Sequence, residues 1–339
     1  MNRNKRIFKI KDSNFLRLII ITSVVFILMS VLNPSKFLTI RNIESMGFQF
    51  PELGLLCLGM MLAMLTGGID LSIVGIANLS TIIAGLIMTR LFPQYIAQGK
   101  SLYVIVLGVL AALSTGVICG ALNGFLISFI GISAILATLG TQLIFTGIGV
   151  VVTEGSAIAG FPEKFTYLGN NMIGFIPIPL VVFIVCALLV TVILRKRKLG
   201  IELYLIGTNI KAAIFSGIKT KIVLLKSYIL TGLLGSIAGL VMISRTNSAK
   251  YDYASSYILQ TVLIAVLGGV KPDGGFGRVG GVTIAVLSLQ FLASGFNMMR
   301  LSMFAKDFIW GAFLLLIMVT NYMSQRIESK RLILRSNDR

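Results

Sequence analysis

The residue types that ordinarily do chemistry are sparse in this 339-residue chain. It contains no His, so the usual proton shuttle, general base and metal ligand is missing. Its three cysteines, Cys57, Cys119 and Cys186, each lie inside an apolar run, without the spacing of a metal site or a disulfide framework. They read as small core residues. Gly99-Lys100-Ser101 ends like a phosphate-binding loop, but Gln94 stands where that loop needs its first glycine and no buried strand precedes it. Gly275-x-Gly277-x-x-Gly280 matches the dinucleotide fingerprint by letters alone. It lies in a short loop between two long apolar runs with no βαβ unit, so a tight turn is its expected role. No catalytic residue, resident cofactor or metal is expected on this chain.

What remains is a set of amides inside apolar runs: Asn78, Asn123, Gln142, Gln260, Gln290 and Asn297. Amides can hydrogen-bond a hydroxylated solute without imposing charge, and these six are candidates for lining a solute path. Their commoner use is to join helices to one another. A second candidate is Thr66-Gly67-Gly68-Ile69-Asp70-Leu71-Ser72. Two glycines break a helix, and Asp70 or Ser72 can cap the amides of the helix that restarts. Irregular backbone at membrane depth survives only when buried in protein or facing a cavity. The motif is therefore either a broken helix beside a solute route or a short turn in which Asp70 is merely a cap.

The elements that must position these residues are set by composition. The chain is 56% hydrophobic and 12% charged, with a mean hydropathy of +0.94. Soluble domains carry a charged share of about 25%, so lipid is the solvent for most of this chain. The formal net charge of +18 arises from bursts of Lys and Arg at the ends of apolar runs, which suits membrane topology and not nucleic acid. A hydrocarbon core about 30 Å thick needs roughly twenty apolar residues per helix. On that rule the expected fold is all-α, an integral membrane protein with about ten transmembrane helices, near 15–32, 48–66, 71–91, 102–127, 132–152, 175–194, 222–243, 256–270, 279–296 and 304–322. The first run resembles a secretory signal, but no small-x-small cleavage site follows and Asn33-Pro34-Ser35 ends it, so it reads as an uncleaved span.

Loops rich in Lys and Arg stay cytoplasmic. Twenty-one of the 30 basic residues fall at residues 1–17, 195–226, 271–278 and 326–339, all on one side of the ten-span arrangement. Both termini are therefore expected in the cytoplasm, as segments 1–14 and 323–339 flanking a membrane domain at 15–322. The longest loop on the other side, about 153–175, carries Glu154, Pro162 and Glu163 and suits docking, gating or passive connection. Small residues four apart let helices approach closely in lipid. Gly116, Gly120 and Gly124 form one such ladder, and Gly235 and Gly239 another, both expected to pack helices.

Thr66 to Ser72 resembles the TGGIDLS signature of ribose-type permeases, the simple-sugar and autoinducer-2 branch of the ATP-binding-cassette (ABC) importers. Gly120-Ala121-Leu122-Asn123-Gly124 is similar to that family's G-x-x-N-G element, Ala137-Thr138-Leu139-Gly140-Thr141 to its ATLGT element, and Ala265-Val266-Leu267-Gly268-Gly269 to its A-V-x-L-G-G stretch. The ordered set covers about Pro51 to Met318. Residues 207–218 are similar to the family's G-x-N-x-x-A-A-x-x-S-G-I coupling element. Read on its own chemistry, Asn209 is a helix cap, Lys211, Ala212, Ala213, Ile214, Phe215 and Ser216 suit a short helix, and Gly217 sits where a left-handed terminator belongs. Such a helix, at about 208–218, would offer Ile210, Ile214 and Phe215 to a partner groove, or lie on anionic lipid.

The resemblance implies a multi-pass permease subunit of the bacterial cytoplasmic membrane that imports a simple sugar, with autoinducer-2 or a nucleoside also open. It implies partners as well: an identical or homologous permease, two cytoplasmic ABC ATPase subunits that carry ATP and Mg, and an extracytoplasmic solute-binding protein. Nucleic acid is not among them. An ion-coupled secondary transporter would keep paired ionisable groups within the membrane, and Asp70 and Lys226 are the only candidates noted.

Overall fold

Within hydrocarbon every backbone N–H and C=O must find its partner inside the protein, so a chain with long apolar runs becomes helical. The computed structural model describes residues 13–92, 94, 95, 99–302, 304–316 and 319. Its helices are α1 (Ser13–Leu32), α2 (Ile40–Leu65), α3 (Ile73–Gly85), α4 (Ser101–Phe125), α5 (Ala134–Thr153), the short α6 (Glu163–Asn170), α7 (Ile178–Lys196), α8 (Lys198–Thr208), α9 (Ile210–Phe215), α10 (Thr220–Thr246), α11 (Tyr257–Leu267) and α12 (Val279–Met298). α3 and α4 continue as π-helical turns over Leu86–Leu91 and Leu126–Ile130. Residues 304–316 are also helical. The segment 1–12, the end of the expected tenth span and the tail 323–339 lie outside the described residues.

The protein is an all-α integral membrane protein. Among the described residues eight helices are long and apolar enough to cross a membrane. Each of the ten apolar runs contains a helix, but several bounds differ from those expected. The second helix starts at Ile40 and not near 48, because Thr39 accepts a cap bond from the Asn42 amide and the helix then runs straight through Pro51. That proline removes one internal N–H without ending the element. The run at 256–270 yields only α11, whose 11 residues span about 16 Å at 1.5 Å per residue. The missing length is supplied by irregular backbone at 250–256, discussed below.

α2 is the centre of the bundle. Its apolar window is 89% buried, against 28% for α5 and for α7 and 17% for α1, which present their apolar side chains outward to lipid. α10 and α3 pack on α2, and the glycine ladders set how closely they approach. A Cβ on Gly120 would collide with the Tyr228 carbonyl of α10, and one on Gly124 would lie 2.9 Å from Leu225 Cα. The second ladder seats α10 on α3, where a Cβ on Gly239 would lie 2.6 Å from the Ala77 carbonyl. Ser227 and Thr231 of α10 donate to the carbonyls of Leu62 and Gly59 of α2, at 3.0 and 3.3 Å.

Two small antiparallel strand pairs lie at the end of the bundle remote from α8 and α9. β1 (Ile158–Ala159) pairs with β4 (Ser248–Ala249), and β2 (Met172–Ile173) pairs with β3 (Ile176–Pro177). Between them α6 covers the end of α10, where Asn170 donates to the carbonyls of Ser244 and Arg245. The long loop at 153–175 is thus a folded cover and not a slack connector.

Candidate functional site

The Thr66–Ser72 motif is a turn between two helices that begin and end at the same side of the bundle. α2 stops with the Gly67 amide bonded to Met64 O at 3.0 Å and the Gly68 amide to Ala63 O at 3.2 Å, the paired bonds of a Schellman stop. Its two glycines serve different needs. Gly67 adopts φ +81°, a left-handed conformation that side chains disfavour, whereas Gly68 is required for space because a Cβ would strike the Tyr228 hydroxyl. Thr66 donates its hydroxyl to Ala63 O.

Asp70 and Ser72 are both fully buried. Asp70 Oδ1 accepts from the Ser72 amide at 3.0 Å and from its hydroxyl at 2.6 Å, which closes a turn onto the residue that precedes α3. Ser72 Oγ accepts from Asn123 Nδ2 at 2.7 Å, and Asn123 Oδ1 accepts from Thr141 Oγ1 at 2.7 Å. The first amides of α3 are answered from α5. Gly75 N donates to Gln142 Oε1 at 2.8 Å, and just upstream Leu71 N donates to Thr138 Oγ1 at 3.1 Å. A helix start buried away from water needs such partners, and here another helix supplies them. Asp70 Oδ2 and Tyr228 Oη have no hydrogen-bond partner among the described residues.

The same turn touches α8. Leu65 O accepts from Gly275 N at 2.9 Å, and Gly207 lies so close that a Cβ there would meet Leu65 O and Gly275 N. Gly274 N bonds Lys271 O, and Lys271 N bonds Phe276 O at 3.0 Å, which makes the glycine-rich loop a tight turn. Tyr204 of α8 donates its hydroxyl to Gly277 O at 2.8 Å; burial holds this phenol above the usual tyrosine range, against the opposing pull of Arg278 and Arg195. α9 then projects from α8. Asn209 Oδ1 accepts from the Ala212 amide at 3.0 Å and caps it, and Gly217, at φ +78°, ends it with bonds to Ile214 O and from Ile218 N to Ala213 O. Ile210, Lys211, Ala212, Ile214, Phe215 and Ser216 are exposed, Phe215 at 91%, while Ala213 alone points into the core.

The six amides divide by location. Asn123 and Gln142 belong to the hydrogen-bond network of the Thr66–Ser72 turn. Asn78 Nδ2 donates to the carbonyls of Tyr251 and Tyr253, at 2.9 and 2.8 Å, and pins the irregular 250–256 segment that completes α11. Gln260 is buried on α11. Gln290 Nε2 reaches Gln49 Oε1 at 3.5 Å, and Asn297 Oδ1 accepts from Lys306 at 2.5 Å. Only the last two belong to the remote end of the bundle, where α2, α10 and α12 leave open clefts.

Sequence reasoning passed over one intramembrane acid. Glu52, 2% exposed in α2, pairs with Arg245 Nε of α10 at 2.5 Å. An acidic residue inside a lipid-length run was the available signal. Among the described residues no group of three or more His, Cys, Asp or Glu side chains gathers to hold a metal, and Cys57, Cys119 and Cys186 are buried free thiols.

The structure is a membrane-spanning helical bundle with a buried polar turn at one end, beside which a short exposed helix projects. The chain belongs to the family described as branched-chain amino acid transport system / permease component, whose profile matches residues 42–318. It is similar to the ribose import permease protein RbsC of Bacillus subtilis (strain 168), 34% identical over 296 residues that cover 86% of this chain and 88% of the relative. It is also similar to the autoinducer 2 import system permease protein LsrD of Yersinia enterocolitica (serotype O:8 / biotype 1B), 30% identical across 86% of this chain and 87% of that one. LsrD of Enterobacter sp. (strain 638) is 30% identical across 92% and 93%. No solved structure matches the chain. The protein is thus a multi-pass permease of the bacterial cytoplasmic membrane.

Proposed function

We propose that this chain is the membrane subunit of an ATP-driven importer for a simple sugar of the ribose type. Its partners are an identical or homologous permease, two cytoplasmic ATPase subunits that hold ATP and Mg, and an extracytoplasmic solute-binding protein. Residues 15–322 form the permease domain, and both termini, with segments 1–14 and 323–339, face the cytoplasm. The basic clusters around Arg195–Lys198 and Lys219–Lys226 support a cytoplasmic side for α8 and α9. A second reading, import of autoinducer-2 by the same machinery, is favoured by the relatives named LsrD.

The observation that carries the proposal is the close contact by which α8, continuous with α9, meets the end of α2. An ATPase groove that grips Ile210, Ile214 and Phe215 moves α9. α8 transmits the movement through Gly207 to Leu65 O and the Gly274–Gly275 turn, where α2 ends and the Thr66–Ser72 turn begins. The permease needs no charge of its own to couple to ATP. The test is ATP-dependent uptake by the reconstituted complex carrying Ile214→Asp and Phe215→Asp together. Loss of uptake, with the protein still folded in the membrane, is expected; undiminished uptake would remove the coupling assignment.

A further inference from the structure

α7 and α10 both pack on α2, and between them runs a groove floored by Leu62 of α2. Cys186, Leu189 and Ile193 of α7 face Leu230, Leu233 and Ile237 of α10 across it, and Val190 and Leu234 complete a lining that is aliphatic apart from the Cys186 thiol. The cavity is about 110 Å³, well below the ~300 Å³ at which pockets for compact ligands begin. It suits a slender chain that continues onto the lipid-facing surface. We propose that this groove seats an acyl chain of an anionic phospholipid, whose phosphate is held between Lys196 and Lys226 at the end of the bundle that carries α8 and α9. The inference goes beyond the importer reading, because it concerns lipid and not the solute.

Two features select that occupant. The first is register. On α7 the row Cys186, Leu189, Ile193, Lys196 advances by three or four residues and so keeps to one face, and on α10 the row Lys226, Leu230, Leu233, Ile237 does the same. α7 runs toward α8 and α10 runs away from α9, so both rows finish in a lysine at the same end of the groove. Both lysines are exposed, and a lysine lays its stem along apolar surface while its ammonium reaches the headgroup level. The second feature is charge. Glu202 is the only acid in residues 195–226, and it pairs with Lys198 at 3.5 Å. Neither Lys196 nor Lys226 has a carboxylate within ion-pairing distance among the described residues. Arg195, Arg197 and Lys198 adjoin Lys196 in the chain, so this end of the groove lacks an internal counter-charge, which a lipid phosphate supplies. A zwitterionic headgroup brings its own cation and a second permease helix brings an apolar face alone, so the lysines favour the anionic lipid over both.

The test uses the full-length chain in phosphatidylcholine nanodiscs, with Leu189→Trp at the groove, where the native leucine is 58% exposed. The buried native Trp310 adds a background common to every variant. Dibrominated phosphatidylglycerol is expected to quench the added tryptophan at about one-tenth of the mole fraction that dibrominated phosphatidylcholine requires, because each lysine near the headgroups adds attraction for anionic lipid. Leu143→Trp, exposed on α5, should be quenched equally by both lipids. Lys196→Gln with Lys226→Gln should erase the preference at Leu189→Trp while leaving quenching by phosphatidylcholine unchanged. Native mass spectrometry of the unaltered chain, offered equal amounts of the two lipids, reads the same preference without an added tryptophan. Equal quenching by both lipids at Leu189→Trp, or a preference that survives the double lysine replacement, overturns the site. Quenching by neither lipid would mean that protein, such as a second copy of the permease, covers the groove, and overturns it as well.

Discussion

A carboxylate set within a helix that crosses hydrocarbon costs several kcal/mol unless its charge is answered in place. Arg245 answers Glu52 through a charge-assisted bond of 2.5 Å. Removing one partner should therefore hurt more than removing both. Glu52→Met or Arg245→Met alone is expected to destabilise the purified protein by about 3–5 kcal/mol, and the double replacement by clearly less. Thermal unfolding of the four variants as a double-mutant cycle measures this, and equal, additive losses would deny the pair its role. Asn123 presents the neutral counterpart, since it donates to Ser72 and accepts from Thr141. Asn123→Leu should cost roughly 1–3 kcal/mol by leaving buried hydroxyls unanswered, read in the same assay. Glu52 was visible in the sequence as a lone acid in an apolar run. Its partner lies 193 residues away, a separation no periodicity reports. The Asn123 bonds were equally hidden, because an amide in a helix looks the same whether it faces solute or another helix.

Elements were legible to the degree that local chemistry closes them. Asn209 and Gly217 marked both ends of α9 because a cap and a left-handed stop each act within a few residues. α11 was overestimated at its end, where Gly269 at φ +85° stops it just after Leu267, while at its start Asn78, on another helix, pins the irregular backbone at 250–256. The α9 surface makes a two-sided expectation. Gly217→Leu forces a side chain into a left-handed conformation, at a cost on the order of 1 kcal/mol or more, and should reduce uptake by misaiming α9. Ala213→Asp instead places a charge where the side chain is 3% exposed and should lower the yield of folded protein. Fluorescence-detected size exclusion together with ATP-driven uptake separates the two. If Ala213→Asp folds normally, or Gly217→Leu transports at the wild-type rate, the orientation of α9 is wrong. The α4–α10 crossing gives a cleaner packing test: Gly120→Leu would drive a side chain into the backbone of Tyr228, and the same size-exclusion profile should show loss of the monodisperse species.

At the scale of the whole molecule, a pump needs an energy source and a way to deliver it. Paired intramembrane charges can serve a gradient-driven transporter, and the Glu52–Arg245 pair raises that alternative more sharply than Asp70 and Lys226 did. Geometry argues against it. Glu52 and Arg245 are bonded to each other, and Lys226 is exposed near the start of α10. Asp70 is buried and bonded to Ser72 at the opposite end of α2, so among the described residues no line of exchangeable charges joins the two faces. α9, carried by α8 whose Gly207 meets the end of α2, exposes Ile210, Ile214 and Phe215 away from the bundle. On the proposed coupling, energy enters by binding at α9 and leaves as movement of the α2–α3 turn. The permease reconstituted alone, with a proton or sodium gradient imposed, should equilibrate D-ribose at most and never concentrate it. Adding the ATPase subunits and binding protein with ATP on the α9 side should produce accumulation that Glu52→Gln weakens and Ile214→Asp with Phe215→Asp abolishes. Radiolabelled uptake against each gradient in turn decides the matter, because gradient-driven accumulation by the lone chain would require a charge-transfer route that these contacts do not contain.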